Sequence, residues 1–247
     1  VGTQALALEA VPLELIHCDA SLVAVNKPAG LLAHPSKLAA GEREDLLTQL
    51  RLQTGRAQLK LVHRLDRASS GVLLACDDPT VHAALGHAFE RREVHKRYLA
   101  VVRGWPGEDA GEIDKPLSGE AKRSPLKPAL TRYRVLARCQ LPWPSGRWET
   151  ARYALVEASP ETGRYRQIRR HFKHLGHPLV GDTSFGKGEH NRLFRIQLGV
   201  HRLLLHAFEL RFKHPADQPM QLRASVDADW HKVLGLFELD ASSLASI

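Results

Sequence analysis

The sequence predicts an α+β fold, a central mixed, largely antiparallel sheet with helices packed on it. Three observations carry this. Short apolar runs of strand length recur from Leu13 to Phe212. Four segments with helical spacing lie between and after them. The two kinds of element intermix without the strict strand–helix–strand alternation of a parallel α/β sheet. The chain shows no internal repeat, low-complexity tract or linker, so one domain is the simplest organisation.

The elements follow in order. Residues 1–12 read as a lead-in. Leu13–His17 and Leu22–Asn26 read as strands around the turn Cys18-Asp19-Ala20-Ser21, and Lys27-Pro28-Ala29-Gly30 breaks the second. A loop through His34-Pro35-Ser36 precedes a helix over Glu42–Gln53, with Leu46, Leu47 and Leu50 on one side. Leu59–His63 and Val72–Cys76 are strands flanking the polar loop Arg64–Gly71. Asp78-Pro79 starts a helix with a capping oxygen and a proline at the first helical position. It runs to about Arg91 and turns Val81, Leu85 and Phe89 to the core. Tyr98–Arg103 returns as a strand, and 104–127 reads as an irregular excursion. Leu130–Gln140 and Tyr153–Glu157 are strands separated by a loop at Pro142–Gly146. A helix over Tyr165–Leu175 ends at Gly176 and Pro178. A loop with Gly181, Gly186 and Gly188 leads to a strand over Arg202–Phe212, and Asp227 or Asp229 caps a final helix through Phe237.

Composition narrows the function. Of 247 residues, 43% are apolar and 25% charged, enough for a sizeable core. Lys and Arg number 35 against 27 Asp and Glu, a balance of +8 that favours nucleic acid or an anionic surface. Cys18, Cys76 and Cys139 lie far apart and form neither a Cys-x-x-Cys pair nor a disulfide framework. With no signal-like lead and no apolar stretch of membrane-spanning length, a cytoplasmic location is expected.

Three constellations carry chemistry. His63-Arg64-Leu65-Asp66-Arg67-Ala68-Ser69-Ser70-Gly71 sets one carboxylate among basic groups on a loop between two strands. A nearby cation keeps such an Asp ionised, ready to act as nucleophile or base. The same pattern also fits a plain Asx-turn. In Gly163–His174 and the following Leu175, Ile168, Phe172 and Leu175 share a helix face expected to be buried, and Arg166, Arg169 and Lys173 share another. That stripe suits phosphates or a solvated surface, and one arginine can turn inward to a carboxylate. Lys96-Arg97-Tyr98 opens a strand, where a tyrosine can stack on a base or simply pack. His171, His174 and His177 are spaced by three, but Gly176 and Pro178 break the helix between them, so no metal is expected. There is no phosphate-binding glycine loop, dinucleotide fingerprint or nucleophile elbow. A glycosidase would need two facing carboxylates and a nuclease a metal cluster. A non-catalytic RNA-binding module would explain the charge but not the lone carboxylate.

The signature His63-Arg64-Leu65-Asp66-x-x-Ser69-Ser70-Gly71 resembles that of the RluA-type pseudouridine synthases. Asn26-Lys27-Pro28-Ala29-Gly30, Lys96-Arg97-Tyr98, Gly163-Arg164-x-x-Gln167-Ile168-Arg169-x-His171, His177–Asp182 and Leu205-His206-Ala207 are similar to further family blocks, in the family's order. Ser69 stands where the family usually has Thr, and Tyr165-Arg166 replaces the usual Thr-His. The resemblance implies the pseudouridine synthase fold with a basic RNA-binding cleft, no metal and no organic cofactor. It implies Asp66 as the catalytic aspartate, Tyr98 as the aromatic against the target base, and Arg169 as the basic partner of Asp66. Arg64 then enters the RNA stack where the uridine has left. His63, Arg67, Lys96, Arg164, Arg166, Gln167, Arg170 and Lys173 are the further expected RNA contacts. The expected partner is RNA. Thr150-x-Arg152-Tyr153 and the 181–207 segment are similar to a branch that modifies uridine 65 of transfer RNA, with large-subunit ribosomal RNA as the alternative. Residues 13–247 are read as the catalytic domain, with no room for the S4-like RNA-binding domain that many ribosomal-RNA members carry.

Overall fold

The computed structural model describes residues 12–34, 45–121 and 123–246. The lead-in up to residue 11 and the expected helix start at Glu42 lie outside them. Ten strands form one sheet, eight of them along the path β1 (Glu14–Cys18), β2 (Val23–Lys27), β4 (Ser70–Cys76), β11 (Leu205–Lys213), β5 (His95–Arg103), β10 (Ala151–Pro160), β9 (Leu130–Leu141) and β6 (Ala110–Asp114). β3 (Lys60–Leu61) pairs with β4, and β12 (Pro219–Arg223) with β11. The pair β4–β11 is parallel and the other described pairs in this sheet are antiparallel, as the mixed, largely antiparallel expectation requires.

Strand alternation distributes the core. Val23, Val25, Leu73 and Ala75 pack with Leu46 and Leu50 of helix α1 (Leu46–Thr54). Ala24, Val72 and Leu74 point the other way, to Leu85 of helix α2 (Pro79–Glu90). On β10, Ala154, Val156 and Ala158 meet Ile168 and Phe172 of helix α3 (Gln167–His174). Tyr153 and Leu155 face Phe194 of α4 (Gly188–Leu198) and Trp230, Val233 and Leu234 of α5 (Ala228–Gly235). Tyr98 packs against the cores around both α1 and α3.

Several expectations need correction. The 104–127 excursion holds β6, which pairs with β9 at the sheet edge, and the two-stranded ribbon β7 (Leu117–Ser118) with β8 (Leu126–Lys127). Of β6 only Ile113 is buried, so its apolar signal is weak. The strand expected over Leu59–His63 shortens to two residues because His63 turns away to the loop. Helix α3 starts at Gln167, two residues late. Arg166 sits in the left-handed region (φ 49°), and the Gln167 side chain ties back to Thr162 and Arg164. Helix α4 and strand β12 were not expected. The N-cap of α4 is Lys187, which offers no capping oxygen, and β12 is a five-residue edge strand.

Candidate active site

The loop between β3 and β4 is held from below by its own neighbours. Lys27, fully buried at the end of β2, gives its Nζ to the carbonyls of Pro28 (2.9 Å), Arg67 (3.1 Å) and Ser69 (2.8 Å). Burial, and then the charge of Arg202, push its pKa down to about 7. Gly30 N–H donates to Arg67 O (2.8 Å) and Arg67 Nε to Gly30 O (2.8 Å), which stitches the loop to the Lys27–Gly30 turn. Ser69 N–H donates to Asp66 O (3.0 Å), which closes a tight turn at the carboxylate. Gly71 follows at φ 113°, and a Cβ there would lie 2.2 Å from Ala207 O. Only glycine therefore lets β4 approach β11 at this point.

That scaffold presents Asp66 to a cleft of about 640 Å³, within the usual range of small-ligand sites. Arg169 Nη1 donates to Asp66 Oδ2 at 3.1 Å. The Asp66 side chain is 22% exposed, whereas that of Arg169 is 6% exposed. Asp66 Oδ1 has no hydrogen-bond partner among the described residues. Two further donors of Arg169 go to Asp182, Nε to Oδ2 (2.7 Å) and Nη2 to Oδ1 (2.8 Å). Tyr98 lines the same cleft; burial and then the negative charge of Asp66 raise its phenol pKa, so the ring stays neutral. The lining also carries Arg64, Arg92, Lys96, Arg164 and Arg166, together with Glu90, Glu120 and Glu161.

The expected RNA contacts divide. Arg64 is exposed at the cleft wall, and its guanidinium has no partner among the described residues. Lys96, half-buried, and Arg164, which donates Nε to Pro128 O (3.0 Å), also line the cleft. Arg166 lies over Tyr165 and donates to Ser184 Oγ (3.1 Å). Lys173 is exposed beside Phe185, and Arg67 is exposed outside the cleft lining.

Three others are spent within the protein. The Gln167 amide accepts from Thr162 Oγ1 and Arg164 N–H and donates to Leu130 O and Thr131 Oγ1. Arg170 donates to Ser118 O (2.6 Å) and Ser118 Oγ (3.0 Å), fastening α3 to β7. His63 lines the cleft, but it stacks on Phe89 and accepts from Leu74 N–H (3.2 Å). Burial, and then Lys96, push its pKa down to about 3, so it supplies no positive charge to a phosphate. Arg166, Arg169 and Lys173 do not form one stripe, because Arg166 precedes the helix and Arg169 turns inward. Asp182 is the site residue that the motif reading named without giving it a role.

Metal-ligand spacing occurs elsewhere. His171 is bonded to Thr131 and Lys115, and His177 to Arg103, so the histidine series diverges. His17, Asp19 and His214 converge at the β1–β2 and β11–β12 turns, outside the cleft lining. His214 Nδ1 accepts from Ala216 N–H (3.0 Å), and its Nε2 lies 3.1 Å from Asp19 Oδ2 without a hydrogen bond.

Residues 21–174 match the family model described as RNA pseudouridylate synthase. The chain belongs to the RNA pseudouridylate synthase family. It is 44% identical over 242 residues to the tRNA pseudouridine synthase C of Vibrio cholerae serotype O1, covering 94% of this chain and 98% of that protein. Against the tRNA pseudouridine synthase C of Pasteurella multocida it is 41% identical over 244 residues, covering 94% and 99%. The human RNA pseudouridylate synthase domain containing 1 superposes with a TM-score of 0.68 at 26% identity, over 88% of this chain and 87% of that one. The human domain containing 4 superposes with a TM-score of 0.71 at 24% identity, over 92% and 94%, a likeness of fold. Among the described residues no helix is long and apolar enough to cross a membrane.

Proposed function

We propose that this protein isomerises uridine to pseudouridine in transfer RNA, at the uridine 65 its sequence motifs suggest, with Asp66 as the catalytic carboxylate. One observation carries the reading: an ionisable carboxylate with one oxygen uncovered stands in a nucleotide-sized cleft, paired to a buried arginine and beside an aromatic ring. The names of the full-length relatives support transfer RNA.

The reaction needs little else. A uridine in folded RNA leaves the stack before its glycosidic bond can be reached. Asp66 attacks C1′ or removes the C2′ proton while the N1–C1′ bond breaks and N1 takes the electron pair. The freed uracil turns over on Tyr98 and C5 bonds to C1′ as the Asp66 carboxylate leaves that carbon or, on the second route, as Asp66 returns the proton to C2′; C5 then loses its proton and N1 gains one. The exposed Arg64 is placed to fill the gap in the RNA stack, a role that a long planar cation suits. Arg64, Lys96, Arg164 and Arg166 face the phosphates, and Lys173 and Arg67 extend that contact outside the cleft.

The test maps pseudouridines by carbodiimide modification and primer extension in total RNA from cells lacking the gene. Loss of one transfer-RNA site, restored by the wild type and not by Asp66→Asn, is the expected result. Loss of a ribosomal site would replace the RNA assigned, and an unchanged map would overturn the activity.

A further inference from the structure

Arg169 is shared by two carboxylates in unequal ways. Asp182 has a fully buried side chain and takes two parallel N–H bonds, at 2.7 and 2.8 Å. Asp66 takes one, at 3.1 Å. Arginine prefers the two-pronged pairing because it satisfies both carboxylate oxygens at once. A lone Asp66 facing a free Arg169 would therefore be covered on both oxygens. Such a carboxylate has no lone pair directed at a sugar.

Asp182 is itself fixed. Its Oδ1 accepts from Ser184 N–H and Phe185 N–H, both at 2.9 Å, and Asn191 Nδ2 donates to its backbone carbonyl (3.0 Å). Gly181, just before it, lies at φ 79° with an added Cβ only 1.8 Å from Arg202 O, so the chain enters this turn along a path open to glycine alone. The Phe185 ring then packs over the Arg169 guanidinium, 5.3 Å from its centroid. The plane of the guanidinium is set from two sides before Asp66 is reached.

We propose that Asp182 is a positioning residue for the isomerisation: it takes the Nε–Nη2 edge of Arg169 and fixes the guanidinium, so that Asp66 receives a single hydrogen bond from Nη1 and keeps one oxygen open to the ribose. This rests on the reading of Asp66 as the catalytic carboxylate. It gives the His177–Asp182 block a task in the reaction.

Asp182→Asn separates this role from a structural one. An asparagine keeps the oxygen that accepts from Ser184, Phe185 and Arg169 Nη2, so the turn survives. Its amide NH₂ then faces Arg169 Nε–H, donor against donor, and the arginine is released toward Asp66. Single-turnover pseudouridine formation on a tRNA transcript is expected to slow about 10²-fold, the scale of a small misplacement at a reacting group. Affinity for the transcript is expected to stay within about threefold, since no phosphate contact changes. In an Arg169→Met background the same substitution should have no further effect on rate, because there is no guanidinium left to orient. Measuring rate per folded molecule, by thermal denaturation of each variant, removes a plain stability effect. A rate loss that merely tracks the folded fraction, or that persists undiminished with Arg169→Met, would overturn the proposal. Asp66→Asn in the same assay separates the two readings: wild-type rate there discards the catalytic aspartate, whereas an inactive Asp66→Asn beside a fully active Asp182→Asn discards only the positioning role.

Discussion

Two buried ion clusters sit on opposite sides of β5, and they are built to opposite ends. On one side Arg169 serves two carboxylates, and one of them, Asp66, keeps an oxygen uncovered and 22% of its side chain exposed. On the other side, next to Tyr98 in sequence but on the reverse face, Arg97 joins Arg211 and Arg223 around Glu209, whose side chain is fully buried. Gln221 completes the set at 2.6 Å. Burial alone would raise the Glu209 pKa, but the bonds from Arg223, Gln221, Arg97 and Arg211 outweigh it and hold it at about 2. A carboxylate with every lone pair engaged is a fastening. A carboxylate with an oxygen left uncovered at a cleft is open to react.

The largest expected effect separates the two directly. Asp66→Asn should reduce single-turnover pseudouridine formation by at least about 10³-fold, on the scale of losing an activated nucleophile or base, while tRNA affinity stays within roughly tenfold. A filter-binding titration beside the rate assay reads both, and a collapse of binding without a larger loss of chemistry would contradict the assignment. Glu209→Ala should do the reverse. It removes one carboxylate from Arg97, Arg211 and Arg223, of which Arg97 keeps Glu157, and should cost about 1.5–3 kcal/mol in urea denaturation, the usual worth of hydrogen bonds to a charged group. The folded fraction should keep the wild-type rate.

Tyr98→Ala should slow the reaction more than Tyr98→Phe if, as proposed, the ring and not the hydroxyl supports the base; equal rates for the two variants would remove Tyr98 from the site. The pH dependence of stability sharpens the contrast further. His206 is buried, and its pKa is pushed down to about 4 by that burial, while the unfolded chain takes up the proton near 6.5. Stability is therefore lost as pH falls from 6.5 toward 4, by about 2 kcal/mol between pH 7 and 5 from this ring, and His63 adds a second slope of the same sign down to about 3. The Glu209 contribution is present above 4.5 and fades only as pH falls toward 2. Urea midpoints measured from pH 7 to 5 should show the histidine slope, and His206→Asn should flatten it. The smallest effect compares two arginines. Arg64→Ala should lower the salt dependence of tRNA binding by about one unit of log–log slope, whereas Arg170→Ala, whose guanidinium is held by Ser118, should leave it nearly unchanged.

What the sequence disclosed depended on whether the signal was local. The start of α2 was readable because Asp78 accepts from Thr80 and Val81 N–H and Pro79 follows it at once. The start of α5 was readable through Asp227, which caps Trp230 N–H. Helix α4 begins at Gly188 behind a lysine, so nothing at its start announced it; His190 and Phe194, four apart and buried, and the left-handed Gly199 at its end were the available clues. The loop of Asp66 was legible as a motif, and Arg169 as its expected partner. That Gln167 and Arg170 face inward was not, because their partners, Leu130, Thr131 and Ser118, lie in distant strands. A run of cations on one stretch of chain does not say which of them the fold itself consumes.

The most direct test runs single-turnover reactions of wild type, Asp66→Asn and Glu209→Gln side by side on one tRNA transcript, normalised to folded protein. The account predicts pseudouridine from wild type and Glu209→Gln at similar rates and none from Asp66→Asn. Product from Asp66→Asn at the wild-type rate, or loss of product from folded Glu209→Gln alone, would contradict it.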